Sequence, residues 1–149
     1  MTPPKLRYVQ REMHRWACWW GIPFVMPRKF PQRTVHAQRL CILAAERSFA
    51  DGLRLATALG RAMWAEQRDL EDPGTLRDVL GACGLPAEWT DRTSGPQLKD
   101  KLVASTAAAR TAGVFGVPTW IIDDKVLFWG QDRLALVARC LAGWNPVNG

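Results

Sequence analysis

Strand-forming sequence is confined to one short stretch of this chain, and that stretch is too small to make a stable sheet unaided. Residues 119–122 (TWII) and 126–129 (VLFW) flank Asp123-Asp124, which predicts a tight β-hairpin. A lone two-stranded hairpin is marginal in water and leaves backbone groups unpaired along its edges. Residues 119–122 are also apolar on both faces, through Trp120, Ile121 and Ile122, which suits the middle of a covered sheet. The sheet is therefore expected to be short of strands.

Everything upstream reads as helix. Leu6, Val9, Met13, Trp16 and Trp20 share one face of an amphipathic helix over residues 5–20, with Arg7, Arg11 and Arg15 opposite. Gly21 ends it, and IPFVMP is an extended piece bracketed by prolines, followed by the loop RKFPQR. Thr34 is the expected N-cap of a helix reaching about Arg47, whose LCILAA segment is apolar nearly all round and hence buried. A helix over about 48–66 is expected, with Phe49, Leu53, Ala56, Gly60 and Met63/Trp64 on one stripe. In DLEDPGTLRDVLGACG, Asp72 caps, Pro73 opens the first turn and Gly84 closes. A further helix runs from about Pro96 to Ala112, stopped by Gly113, and a closing helix from about Asp132 to Leu141.

With 149 residues, 48% hydrophobic and 23% charged, the chain has the composition of a folded domain. No apolar run approaches a membrane span, and MTPPKLRYVQREM lacks the apolar core of a secretory signal, so a cytoplasmic protein is expected. Cys18, Cys41, Cys83 and Cys140 form no CxxC pair and no zinc-ligand pattern with His14 and His36. They are expected to be reduced, most of them small core residues, and the missing CxxC pair argues against a dithiol oxidoreductase. Residues 1–40 hold eight basic side chains and one acid, against twelve and thirteen in the remainder. Such a segment suits an anionic small molecule, nucleic acid or an acidic protein surface, or is simply a solvated helix face. Nucleic acid is not expected, because the tryptophans of the first helix fall mainly on its apolar face and no known reader motif is present.

The chemistry-bearing residues surround the hairpin. In GVFGVPT a Val117–Pro118 bond leads into the first strand, where a cis proline would leave the backbone N–H and C=O of Val117 facing outward. An extended peptide-like ligand could pair there as an added strand, and the glycines permit close backbone approach. The competing reading is a plain loop between a helix end and a strand. After the second strand, Trp129-Gly130-Gln131-Asp132 leads into a helix whose N-terminus suits a carboxylate, and Asp132 either caps that helix or holds an ammonium group. One ligand with a peptide middle and a zwitterionic end fits both places, and glutathione is such a ligand.

GVFGVPTW and LFWGQDRL resemble the carboxy-terminal motif of 2-hydroxychromene-2-carboxylate isomerases and the related kappa-class glutathione transferases. KLRYVQREMHRWACWWGIPFVMP and RAMWAEQRDLEDPGTL are similar to the same family's first inserted helix and central signature, so the resemblance extends from about Lys5 to Leu141. It implies an α/β protein with a DsbA-like thioredoxin fold and helical insertion, here mostly α with a C-terminal β-hairpin and helix. The implied layout is a single domain over 1–149, with the insertion at 5–112 and the C-terminal thioredoxin half at 113–142. Glutathione is the implied cofactor, with Val117 pairing its backbone beside Pro118, and Trp129, Gly130, Gln131 and Asp132 lining its γ-glutamyl end. Phe30 falls where an aromatic residue lines the family's substrate pocket, without a phenolic hydroxyl to donate.

The resemblance also implies an opening strand–helix–strand unit carrying a serine that stabilises the glutathione thiolate. Only MTPP precedes the first helix, whereas such a unit takes ~30 residues. Ser48, Ser94 and Ser105 lie in unrelated contexts, so no catalytic residue is assigned. The expectation is an amino-terminally truncated chain, with strands from a second chain and a repurposed remnant as the other readings. The implied function is glutathione-dependent isomerisation of 2-hydroxychromene-2-carboxylate-type aromatic catabolites. The alternatives are kappa-type transferase or peroxidase activity, and a non-catalytic remnant pairing through its open sheet edge. The implied partner is an anionic aromatic small molecule, with no nucleic acid, no membrane, and a homodimer left open.

Overall fold

The computed structural model describes residues 2–145, so the outermost positions of the 1–149 domain expected above lie outside the described residues. The chain divides into a helical unit, Met1–Leu102, and a C-terminal unit, Val103–Gly149.

The helical unit contains α1 (Pro3–Trp20), α2 (Val35–Arg47), α3 (Phe49–Trp64), α4 (Pro73–Ala82) and α5 (Trp89–Arg92), and α6 (Pro96–Thr111) begins in it. Its core lies between α2, α3 and α4, where Leu40, Leu55 and Leu80 are completely buried. Ser48 alone separates α2 from α3. It is fully extended, ends α2 through its N–H to the Ala44 carbonyl, and starts α3 by accepting from the Asp51 N–H on its side-chain oxygen. The two helices then meet at Gly52, where a Cβ would stand 2.9 Å from the Ala45 Cβ. Asp51, almost buried, is held between Arg47 and Arg54.

Several expectations change here. The buried face of α3 is Gly52, Leu55, Leu59, Ala62 and Met63, while Phe49 is 82% and Leu53 59% exposed. The small residue at 52 lets that face approach α2, whereas Gly60 on the expected stripe faces open space. Thr34 occupies the position before α2 but makes no capping bond; its backbone is not extended, and its hydroxyl accepts from the Gln38 side chain instead. The stripe on α1 is only partly covered, for Ala17 is the one buried residue of that helix and Trp20 is 51% exposed. Among the cysteines only Cys83 is buried; Cys41 and Cys140 are half-buried and Cys18 is exposed, all with free thiols. Burial pushes the Cys41 thiol up to about 11, far from a reactive thiolate. Asp72 does cap α4, accepting from the Gly74 and Thr75 N–H groups, and Gly84 follows with φ +65°.

In the C-terminal unit, β1 (Thr119–Ile122) pairs antiparallel with β2 (Val126–Trp129), with Thr119 opposite Trp129 and Ile122 opposite Val126. Asp123 and Asp124 both adopt positive φ, and the Lys125 N–H closes the turn onto the Ile122 carbonyl. That geometry matches the twist of the strands. Among the described residues no third strand joins the pair, and β1 is half-buried with Ile121 exposed rather than covered on both faces. The closing helix does not start at Asp132. A 3-10 turn, Gln131–Arg133, precedes α7 (Leu134–Leu141), which lies against β1.

Candidate functional site

The hairpin's open end gathers six of the residues singled out from the sequence. Val117–Pro118 is a cis peptide bond. Val117 is 87% exposed, and its backbone makes no hydrogen bond among the described residues. The Pro118 carbonyl accepts from the Gly130 N–H at 3.0 Å, so the segment following β2 is fastened beside the segment preceding β1. The Trp129 indole lies over Gly116, where a Cβ would meet its Nε1 at 2.5 Å; only glycine admits that ring so close to the backbone. The Thr119 hydroxyl donates to the Gly116 carbonyl at 2.6 Å and fixes the same turn.

Gly130 has φ +115° and turns the chain sharply into the 3-10 segment that carries Gln131 and Asp132. Neither that segment nor α7 receives a side-chain cap. The Asp132 carboxylate is therefore not consumed by capping; it pairs with the neighbouring Arg133 at 3.0 Å on the exposed surface. Phe115, whose sequence context drew attention only to glycine and proline, belongs to the same patch. It is 72% exposed, with its ring centroid 5.2 Å from that of Trp129. A free backbone pair, an indole, and a carboxylate beyond a glycine turn together fit a peptide-like ligand with an ammonium group.

Phe30 belongs to the helical unit. It is half-exposed and packs on Trp64 at 5.6 Å between ring centroids. The loop carrying it is strapped to residues 64–71. Gln32 accepts from the Leu70 N–H and donates to the Arg68 carbonyl, while Val25 donates its N–H to the Trp64 carbonyl. Lys29 bridges Asp69 and Glu71, both at 3.0 Å, and Glu71 also accepts from the Arg33 N–H.

Hydrogen bonds set the charges of this strap. The Arg33 N–H and then Lys29 hold Glu71 below its ordinary range, and the Glu71 N–H and then Lys29 do the same for Asp69. The Gly74 and Thr75 N–H groups lower Asp72. Carboxylates depressed in the folded state contribute stability that is complete above their unfolded values, about 4, and is lost as pH falls through their lower folded values. The urea midpoint is therefore expected to decline below about pH 4, and less steeply in Asp72→Asn, which keeps the cap without the charge. Equal pH dependence in the two proteins would remove Asp72 from this account.

A family model described as the DSBA-like thioredoxin domain matches residues 1–142. The 2-hydroxychromene-2-carboxylate isomerase of Pseudomonas sp. (strain C18) is 30% identical over 148 residues, covering 97% of this chain and 66% of that protein. The rat (Rattus norvegicus) glutathione S-transferase kappa 1 is 24% identical over 153 residues, covering 95% of this chain and 68% of its own. A solved structure of a 2-hydroxychromene-2-carboxylate isomerase superimposes with a TM-score of 0.83 at 24% identity, over 93% of this chain and 66% of that one. The chain thus spans about two thirds of the isomerases it matches, 66% of the Pseudomonas sp. protein. No helix among the described residues is long and apolar enough to cross a membrane. The expected fold is the fold found, mostly helical with one antiparallel hairpin near the C-terminus. The chain belongs to the DsbA-like thioredoxin domain family.

Proposed function

We propose that this chain carries the glutathione-binding part of a glutathione-dependent isomerase acting on 2-hydroxychromene-2-carboxylate-type aromatic catabolites in the cytoplasm. The reading rests above all on the exposed, unbonded backbone of Val117, with the Gly130 N–H tied to the Pro118 carbonyl beside it. Relatives named as isomerase and as glutathione transferase support it. In this reading Val117 pairs the peptide backbone of glutathione, and Trp129, Gly130 and Gln131 line its γ-glutamyl end. Asp132 holds its ammonium group, and Phe30 lines the site of an anionic aromatic substrate. Bound glutathione would supply a thiol able to add reversibly to a double bond and leave. The chain's own residues bind and orient; none is assigned a catalytic role. Residues 5–112 serve as the helical insertion and 113–142 as the thioredoxin half. Kappa-type transfer chemistry would use the same glutathione residues.

Calorimetric titration of glutathione into the 149-residue chain tests this. Saturable binding is expected, weakened about tenfold or more in Asp132→Ala, the ordinary range for losing a charge-assisted hydrogen bond. A folded chain that binds no glutathione, or binds it equally well without Asp132, would remove these residues from the role. A second reading, a binding module that pairs through its sheet edge, draws on the exposure of Ile121 and the two-stranded sheet. Concentration-dependent self-association without glutathione binding would favour it.

A further inference from the structure

At the turn of the hairpin, Ile122, Asp123, Lys125 and Val126 line a groove of about 540 Å³ together with Cys140 and Trp144 from the end of α7 and just beyond it. That volume lies within the ordinary span of small-molecule sites, about 300–1,000 Å³. All of these residues belong to the C-terminal unit. The strand register puts the groove at the opposite end of the hairpin from Val117 and Trp129, so it shares no residue with the candidate glutathione site.

Backbone hydrogen bonds fix both walls. The Lys125 N–H donates to the Ile122 carbonyl at 3.1 Å, and Asp123 and Asp124 hold positive φ, which sets the turn. Beyond α7, Gly143 takes φ +96° and donates to the Cys140 carbonyl, while the Trp144 N–H returns to the Arg139 carbonyl, both at 3.0 Å. The Arg139 guanidinium stands 5.5 Å from the centroid of the Trp144 ring and holds the indole by a cation–π contact. The groove is preorganised, which lowers the cost of filling it.

Its lining combines both signs of charge with apolar surface. Asp123 and Lys125 are two residues apart, and among the described residues neither has an ion-pair partner, nor do they pair with each other. Ile122 and Val126, both half-buried, and the Trp144 ring supply the apolar surface. A simple anion would gain from Lys125 and be opposed by Asp123, and a simple cation would meet the reverse. A molecule with both charges at one end and an apolar group at the other matches the whole lining.

We propose that this groove binds a free α-amino acid with an apolar side chain. Its ammonium group pairs with Asp123, its carboxylate pairs with Lys125, and its side chain lies against Ile122, Val126 and Trp144. The site is additional to the glutathione residues and does not depend on the isomerase reading.

Equilibrium dialysis against the 149-residue chain at low salt, where exposed charges are least screened, tests the assignment. L-leucine is compared with three analogues that each lack one of its groups: 4-methylpentanoate without the ammonium, 3-methylbutylamine without the carboxylate, and glycine without the side chain. Leucine is expected to bind best, about fivefold better than either singly charged analogue, the upper end for an exposed ion pair. Asp123→Asn, a residue that tolerates the positive φ of this turn, should remove the advantage over 4-methylpentanoate. Lys125→Gln should remove the advantage over 3-methylbutylamine. Asp124→Asn, next in the turn but outside the lining, should keep both. Wild-type chain that binds no leucine, or binds it no better than the analogues, overturns the proposal. So does an Asp123→Asn or Lys125→Gln chain, folded by circular dichroism, that keeps both advantages. The γ-glutamyl end of glutathione is itself an amino-acid zwitterion, so Asp132→Ala tells the two ends of the hairpin apart. Leucine binding undiminished in Asp132→Ala supports the groove, and binding lost there assigns leucine to the other end and ends the proposal.

Discussion

Shortening Leu55 to alanine is expected to destabilise the helical unit by about 2–5 kcal/mol, and by the upper half of that range. Leu55 is fully buried in α3, in one cluster with Leu40 and Ala44 of α2 and Leu80 of α4, which are equally inaccessible. The cost of such a truncation has two parts: the lost transfer of the leucine from water, and the void that remains because neighbours relax only partially. Relaxation is restricted here. At Gly52 the backbone of α3 already lies against Ala45 of α2, so close that a Cβ there would stand 2.9 Å from the Ala45 Cβ and 3.0 Å from its Cα. The helices cannot close further at that end to fill the space one turn away. Urea unfolding followed by circular dichroism should show a lower midpoint with an unchanged slope. Leu53→Ala, on the exposed face, should stay within about 0.5 kcal/mol of wild type. Equal losses in the two variants would show that the packing of α3 has been misassigned.

The same pair of leucines marks where the sequence was legible and where it was not. Helix periodicity placed α3 within a residue or two, but two apolar stripes fit its 16 residues. Choosing between them needs the partner surface, and the decisive residue is Gly52, which contributes no hydrophobicity at all. Caps were legible where the side chain alone makes the bond, as at Asp72, and misleading at Thr34, whose hydroxyl has a competing partner in Gln38. The hairpin was legible because Asp123-Asp124 specifies its own turn locally. In the candidate site, GVFGVPT and WGQD stood out as motifs, but the Pro118–Gly130 hydrogen bond that joins them depends on strand register. Phe115 was hidden because its aromatic partner, Trp129, lies across the hairpin. Arg28 and Lys29 are indistinguishable as sequence; they separate only once Asp69 and Glu71, distant in the chain, enclose one and not the other.

Gly130→Ala is expected to cost the C-terminal unit about 1–3 kcal/mol, the range for a side chain forced into a backbone region reserved for glycine. At φ +115° and ψ 143° an alanine Cβ is strained whatever surrounds it. A second obstacle is specific to this site: the new Cβ would fall 2.5 Å from Asp132 Oδ1. The carboxylate can rotate away, because it is exposed and tied only to Arg133, but it then leaves the position from which the proposed ammonium contact is made. Gly130→Ala should therefore lose glutathione binding at least as fully as Asp132→Ala while also losing stability, which Asp132→Ala should largely retain. The double variant separates the two causes. Removing the carboxylate relieves the contact and leaves the backbone strain, so Gly130→Ala with Asp132→Ala should unfold near the midpoint of Gly130→Ala alone. If the double variant instead regains wild-type stability, the carboxylate contact is the obstacle, and the glycine is there to make room for Asp132 rather than to turn the chain.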